Sequence, residues 1–146
     1  MNISKIVITS IVTLLLTTSA QARDDRMKFE IKPLLESSKA KDALLDIPLH
    51  FAKNSPTKFE SKYGEVSTNK KTNAFMKSAQ EACEWAMLSA LKSLQERAVR
   101  EGMTDVINIT SNYKNQPFIS TTEFECGSGA VMAGVALKGT LVKIAK

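Results

Sequence analysis

Cysteine is the first residue type in this sequence that could do chemistry. Cys83 and Cys126 are the two thiols of the 146-residue chain. In an oxidising compartment two cysteines of a small domain usually pair, so we predict a Cys83–Cys126 disulfide. A metal site is the alternative, but the chain has one histidine and neither a Cys-x-x-Cys nor a His-x-x-x-His spacing. We therefore expect neither a metal nor a cofactor, and a disulfide that stabilises the fold by about 4 kcal/mol in the chain-entropy model.

His50 and Ser128 are the residues that could serve hydrolysis. Ser128 lies between Gly127 and Gly129, but the Gly-x-Ser-x-Gly pattern of a nucleophile elbow does not fit around it. His50 is the only histidine that could act as its base. We interpret 127–129 as a turn and His50 as a structural or exposed side chain. The sequence thus predicts no catalytic residue, and a small hydrolase using His50 or Ser128 is the alternative.

Lysines are concentrated in a segment over 54–77 that shows no clear hydrophobic period and is predicted to be a long basic loop. Five lysines against two glutamates give it a charge of +3. Such a segment could face phosphate-bearing lipid headgroups, a glycan or an acidic partner protein. Alternatively it is a solvated loop that includes an unrecognised strand around 63–67. Nucleic acid is not an expected ligand, because the basic residues are mostly lysines with few aromatic neighbours.

The residues that we predict to bind a partner come from this segment and from the helix after it. They are Lys58, Lys62, Tyr63, Lys70, Lys71 and Trp85. Trp85 has two interpretations. It is an anchor for a partner, since tryptophan is enriched at binding hot spots, or it covers the disulfide or a second core under the N-terminal helix.

The N-terminal residues predict an export signal. Lys5 precedes an apolar run over 6–16, and an A-x-A pattern ends at Ala22, as signal peptidase requires. The run is shorter than the roughly 20 residues of a membrane span. Charged residues follow at once, and no lipid-attachment cysteine is present after the pattern. We expect cleavage after Ala22 and a mature periplasmic chain over 23–146 without a transmembrane segment.

The helices and strands that the sequence predicts form a single α+β domain over 23–146. The chain is too short for an α/β barrel or an ATPase of several domains. Ser78 and Glu81 form a capping box at the start of the long helix, and Gly102 suits its end. Short turns between the last three strands predict an antiparallel meander on which this helix packs. The expected elements are a helix over 33–45, a short strand over 47–52, the long helix over 78–101, and strands over 105–113, 118–126 and 131–144.

The positions of the cysteines agree with this arrangement. Cys83 is on the apolar face of the long helix, and Cys126 is on the apolar face of its strand, so the two can meet where the helix crosses the sheet. The opposite face of the last strand has small residues that allow close approach by the N-terminal helix, by a partner strand or by another protomer. These residues are Met132, Gly134, Ala136 and Thr140. The oligomeric state stays open.

Two stretches carry a resemblance to a known family. The first is Asn69–Phe75 followed by Glu81–Cys83 and Trp85, and the second is Thr122–Cys126 followed by Met132–Gly139. Together they resemble a family of small exported proteobacterial proteins that often carry the label "excinuclease ATPase subunit". The order of helix and strands is also similar to that of YbjQ-like domains and of the periplasmic domain of RcsF-like lipoproteins.

The ATPase label can be tested on the residues. Such an ATPase needs the phosphate-binding pattern G-x-x-x-x-G-K-[ST], which this chain lacks. We therefore expect no excinuclease ATPase activity. The expected function is that of a soluble periplasmic, non-enzymatic binding module, with 54–77 contacting an envelope protein or an anionic envelope component. The alternatives are the small periplasmic hydrolase and a redox-responsive envelope-stress module switched at Cys83–Cys126.

Overall fold

The computed structural model describes residues 24–145, so the signal peptide predicted over 1–22 lies outside the described residues. The described part contains three helices and a six-stranded sheet, which confirms the broad α+β class. None of these helices is long and apolar enough to cross a membrane. The helices are α1 (Ile31–Glu36), α2 (Ser38–Ala43) and α3 (Ala79–Arg100). The strands are β1 (Asp25–Glu30), β2 (Leu49–Phe51), β3 (Ser61–Asn73), β4 (Asp105–Ser111), β5 (Glu123–Ser128) and β6 (Met132–Lys143).

Helix α3 begins and ends where the sequence predicts, within one residue. The Ser78 hydroxyl accepts a hydrogen bond from the Glu81 backbone N–H at 3.1 Å, which satisfies one of the free amides of the first turn. At the other end, Gly102 has a φ of +71°, the left-handed conformation in which many helices stop. The buried face of α3 packs on the sheet, with Ala82, Ala86, Ala90 and Ala98 allowing a close approach.

Strand β6 lies at the centre of the sheet. Strand β3 pairs along one edge of it, from Ser61 opposite Lys143 to Asn73 opposite Met132. On the other edge, β4 pairs with the C-terminal half of β6, and β5 pairs with its N-terminal end. Strand β1 extends the sheet beside β5 in an antiparallel register, and β2 extends it beside β4 in a parallel one.

The predicted meander of the last three strands is wrong in its order. In a meander β4 would pair with β5, and β5 with β6. Here β4 and β5 do not pair as strands, and β6 lies between them in the strand order. The connection between them contains a 3₁₀ turn, Tyr113–Asn115, and an isolated bridge between Ser111 and Phe118. The Ser111 hydroxyl also accepts a hydrogen bond from the Glu125 N–H of β5 at 3.0 Å. The strand predicted over 118–126 starts later, at Glu123, since the Ser120 hydroxyl accepts from the Thr122 and Glu123 amides and holds a turn.

The long basic loop predicted over 54–77 is also wrong, because residues 61–73 form the 13-residue strand β3. The alternative, a strand around 63–67, has the right type and position but is too short. This strand lies at the edge of the sheet, and most of its side chains are exposed. The core-facing positions around Val66 and Thr68 are only half-buried. One face of this edge strand is exposed to solvent and the other is only half-buried. Its sequence therefore lacks the alternation of apolar and polar residues that marks a strand, and it is similar to that of a polar loop.

The N-terminal region differs in two ways from its prediction. The single helix predicted over 33–45 is split into α1 and α2 at Ser37, whose hydroxyl caps α2 by accepting from the Ala40 N–H at 3.2 Å. The first of the strands, β1, was not predicted at all, and it pairs along its full length with β5. The short strand predicted over 47–52 is present, reduced to the three residues of β2.

The predicted cysteine pair is confirmed. Cys83 and Cys126 form a disulfide with their Cα atoms 5.8 Å apart, and both side chains are fully buried. The bond joins α3 to β5 through the middle of the core, next to Phe124 on the same strand face. It closes a separation of 43 residues, which constrains the unfolded chain and so stabilises the folded one.

Candidate binding surface

Strand β3 separates the predicted lysines into two groups. Lys62 and Lys71 are nine residues apart on one strand, which corresponds to about 30 Å at the usual rise of an extended chain. Lys58, Lys62 and Tyr63 therefore lie at one end of the sheet, and Lys70 and Lys71 lie at the other. The two groups cannot contact the same small ligand.

Tyr63 is held by the long helix. Its hydroxyl accepts a hydrogen bond from Arg97 Nη2 at 2.8 Å, and the Arg97 guanidinium lies 5.5 Å from the ring centroid. The hydrogen bond with Tyr63 raises the pKa of Arg97 above its ordinary value. The contact ties β3 to the end of α3, so Tyr63 has a structural partner within the chain.

Trp85 lies on α3 and contacts the N-terminal helical region. The Lys39 ammonium, from α2, is 5.6 Å from the centroid of the Trp85 ring, and Lys39 also forms an ion pair with Glu84. A cation at this distance from an aromatic face is attracted to it. Trp85 is 37% exposed, so the contact with Lys39 lies at the surface. Its two interpretations, as an anchor for a partner and as the cover of the disulfide or a second core, both stay predictions.

The Lys70–Lys71 end of β3 adjoins a group of exposed apolar side chains. The connection from β3 to α3 and the turn from β5 to β6 lie side by side, since the Ala74 N–H donates to the Val131 carbonyl at 2.7 Å. Four large side chains on these two connections and on the first residue of β6 face water, and we call them the apolar tip. They are Phe75, Met76, Val131 and Met132, with exposed fractions of 62%, 89%, 58% and 46%. Contiguous exposed apolar side chains are typical of interaction sites.

Three lysines lie at the same end of the sheet as the apolar tip, and we call them the lysine rim: Lys70, Lys71 and Lys77. Successive residues of a strand point to opposite faces, so Lys70 and Lys71 lie on either side of β3. The Lys77 ammonium donates to the Asn73 carbonyl at 3.2 Å, which holds it beside the turn. Apolar and cationic groups thus share one end of the molecule.

A cavity of about 430 Å³ opens beside the tip. Its floor contains Gly134, where a Cβ atom would lie 3.6 Å from Lys71 Cγ and 3.7 Å from Tyr113 Cε2. Lys71 and the Tyr113 ring therefore form opposite walls. Tyr113 lies directly on Gly127, since a Cβ there would be 1.9 Å from the Tyr113 hydroxyl oxygen. A second cavity of about 240 Å³, on the other side of the β5–β6 turn, is lined in part by Met76 and Lys77.

The wall formed by Tyr113 is neutral across the physiological range. Its hydroxyl donates to Asp24 Oδ1 at 2.8 Å, and Lys114 forms an ion pair with the same carboxylate. Burial, together with the bond to Asp24, raises the pKa of Tyr113 to about 12. The hydrogen bonds from Lys114 and Tyr113 lower the pKa of Asp24. Tyr113 is thus a proton donor in a fixed hydrogen bond and an aromatic surface, and it is a poor general base.

His50 and Ser128 are not brought together. His50 Nε2 lies 2.9 Å from Asp105 Oδ1, and Asp105 is opposite Val142 of β6. Ser128 is opposite Ala133 of the same strand and is buried. Nine residues of extended chain separate the two positions on β6, which is about 30 Å. His50 therefore cannot act as the base for Ser128.

Gln95 is the polar residue that the sequence analysis missed. It is buried in α3, where its amide donates to the Leu45 and Ile47 carbonyls at 2.8 Å each and accepts from the Leu45 N–H at 2.9 Å. Its position on the buried helix face, among leucines and alanines, is the signal that could have identified it. These three bonds hold the chain that leads from α2 to β2.

Comparisons with known proteins identify no similar family, protein or structure. A scan against protein-family models finds no match, and neither a search of curated proteins nor a search of solved structures finds one. The resemblance drawn from the sequence stays a prediction. Within residues 24–145, no three His, Cys, Asp or Glu side chains are grouped as ligands of a metal.

Proposed function

We propose that the chain is a non-enzymatic binding module of the bacterial cell envelope. Exported to the periplasm by its cleaved leader, it binds an anionic envelope component at the end of the sheet that carries the lysine rim. The disulfide is consistent with an oxidising compartment. The observation that carries the proposal is the meeting of three lysines, four exposed apolar side chains and a cavity at this one end.

The two alternatives have less support. A hydrolase that pairs Ser128 with His50 would need the two side chains in contact, and about 30 Å of β6 separates their positions. A redox switch needs sulfur atoms that a thiol can reach, and both cysteines are fully buried.

The Lys70–Lys71 site is tested by charge reversal. We expect the variant Lys70→Glu/Lys71→Glu to bind phosphocellulose beads at least about tenfold more weakly than the parent chain, because two attractive contacts become repulsive. The measurement is the apparent affinity of residues 23–146 for the beads at constant ionic strength, with the thermal midpoint of each variant recorded as a check on folding.

A matched control separates a site from net charge. Lys41 and Lys92 are exposed on α2 and α3, and Lys41→Glu/Lys92→Glu changes the net charge by the same amount. If this control loses as much affinity as the β3 variant, binding follows overall charge, and the assignment of the site is wrong.

A further inference from the structure

We propose that the anionic component is a lipid bilayer, and that the apolar tip enters its interface while the lysine rim contacts lipid phosphates. This inference rests on the proposed function and names its partner. Large side chains with exposed fractions of 46% to 89% are crowded onto two adjacent turns. Apolar groups that enter the headgroup boundary, with basic residues behind them, are the usual composition of a peripheral membrane contact.

Several backbone amides of the tip form hydrogen bonds within the chain. Amide groups that leave water without a partner are costly to bury. Here four amides of the two connections are bonded within the chain. The Gly129 N–H donates to the Met132 carbonyl at 2.9 Å, and the Phe75 N–H donates to Asn73 Oδ1 at 2.7 Å. The Ala74 and Lys77 amides are bonded to Val131 and Ala74 carbonyls. The turns can therefore enter the interface without breaking these hydrogen bonds.

The conformation of Met76 is a second, independent observation. Met76 has a φ of +58°, in the left-handed region that side chains other than glycine rarely adopt. Its side chain is 89% exposed. Ala52, Asn108, Lys114 and Asn115 share the positive φ, but Met76 combines it with a large apolar side chain that faces water, and backbone strain is concentrated at functional positions.

Charge also distinguishes a bilayer from a second copy of the chain. A two-fold dimer through the tip would place the same surface on both protomers. The lysine rim of one protomer would then lie close to that of the other, which is repulsive. Asp24 and Asp25 line the cavities at this end, but Asp24 is already paired with Lys114, so these carboxylates do not balance the six lysines. An anionic bilayer is complementary to both features, because its phosphates meet the lysines and its acyl boundary meets the apolar side chains.

The test uses residues 23–146 and vesicles of phosphatidylethanolamine with phosphatidylglycerol. We expect Phe75→Ser/Met76→Ser to lower the vesicle partition coefficient about tenfold or more, because apolar contact is lost at unchanged charge. Val99 and Ile119 are exposed on α3 and on the β4–β5 connection, so Val99→Ser/Ile119→Ser is the matched control and should change partition less than about twofold. Phosphatidylcholine vesicles should bind the parent chain more weakly.

A second measurement does not depend on loss of binding. An environment-sensitive dye on the variant Met76→Cys should be quenched by lipids that carry a quencher in the acyl region, and a dye on Ile119→Cys should not. The native cysteines are paired and buried and stay unlabelled.

The possible outcomes separate the two proposals. If the tip variant binds vesicles like the parent while Lys70→Glu/Lys71→Glu does not, contact is electrostatic alone and insertion is wrong. If vesicles are not bound but phosphocellulose retention depends on Lys70 and Lys71, the bilayer is wrong and the proposed function stands. If neither depends on these lysines, both proposals are wrong. A dimer that the tip variant abolishes would show that a second copy covers the tip, and the bilayer would be wrong.

Discussion

At the scale of single residues, Tyr113 shows how one side chain organises a surface. Its ring covers Gly127 and forms a wall of the cavity of about 430 Å³ beside the tip, and its hydroxyl donates to Asp24 at the start of the described chain. The Arg26 and Lys114 cations lie 5.6 Å and 5.7 Å from its ring centroid. Only glycine fits under the ring, so Gly127 is required here by packing, which is a different role from the turn predicted for it.

The hydrogen bond between Tyr113 and Asp24 gives a prediction that depends on pH. In Asp24→Asn the pKa of Tyr113 should fall from about 12, because the carboxylate no longer opposes a phenolate. The pKa should stay above 10, since burial is the larger cause. The measurement is the ultraviolet absorbance of the phenolate during titration, in a Tyr63→Phe background so that one tyrosine titrates.

The sign of the effect on stability follows from linkage. A folded-state pKa raised above the unfolded value contributes stability that is complete below pH 10 and is lost as the pH rises towards 12. The parent chain should therefore lose more stability over this interval than Asp24→Asn. An unchanged Tyr113 pKa in the variant would contradict the role given to Asp24.

At the scale of elements, Gln95 is the side chain that docks the segment between α2 and β2 on α3. Replacing it with leucine of similar size leaves the Leu45 N–H and the Leu45 and Ile47 carbonyls without partners. We expect Gln95→Leu to lower the free energy of unfolding by about 2–4 kcal/mol. The measurement is the urea midpoint at an unchanged slope.

Gln80 supplies the control for this prediction. It is on the same helix but exposed, where it bonds to Glu84 at 3.0 Å. Gln80→Leu should change the free energy of unfolding by less than about 0.5 kcal/mol. If Gln95→Leu were as mild as Gln80→Leu, the three bonds would not be what holds the segment.

The elements also show how much of this fold could be predicted from the sequence. Helix α3 was predicted to within a residue because its cap, its apolar face and its final glycine all agree. Strand β1 was missed, and β3 was expected only as an alternative around 63–67. Both pair at the outside of the sheet, where exposed side chains remove the alternation that marks a strand. Strand order was wrong because it depends on non-local pairing with β6, which no local pattern encodes.

The candidate site was predictable only in part for the same reason. Lys70 and Lys71 were among the predicted binding residues, and so were Lys62 and Tyr63, which β3 places at the far end of the sheet. The distance between Lys62 and Lys71 is short if the segment is a compact loop and long if it is an extended strand. The sequence pattern does not distinguish these two cases. The apolar tip was not recognised, because the closeness of Phe75 and Val131 is a consequence of the pairing of β3 with β6.

In the molecule as a whole, the contacts that stabilise the fold and the proposed binding surface lie at different positions. The disulfide, Gln95 and the apolar face of α3 stabilise the core. The far end of β3 is tied to α3 through Tyr63 and Arg97. The end with the turns keeps four large apolar side chains and three lysines in water. The formal net charge of the full sequence is +5, and Lys5 of the predicted leader is one of these charges. The remaining positive charge favours approach to anionic surfaces in general, and the apolar tip would give that approach an orientation.

The measurement that tests this account most directly is a map of backbone amide shifts in isotope-labelled chain 23–146 upon addition of bicelles containing phosphatidylglycerol. We predict that the perturbed amides are concentrated in 69–77 and 129–134, the two turns and the strand ends that lead to them. Shifts concentrated instead at 58–63, around Trp85, or around His50 and Asp105 would contradict the assignment of the binding surface.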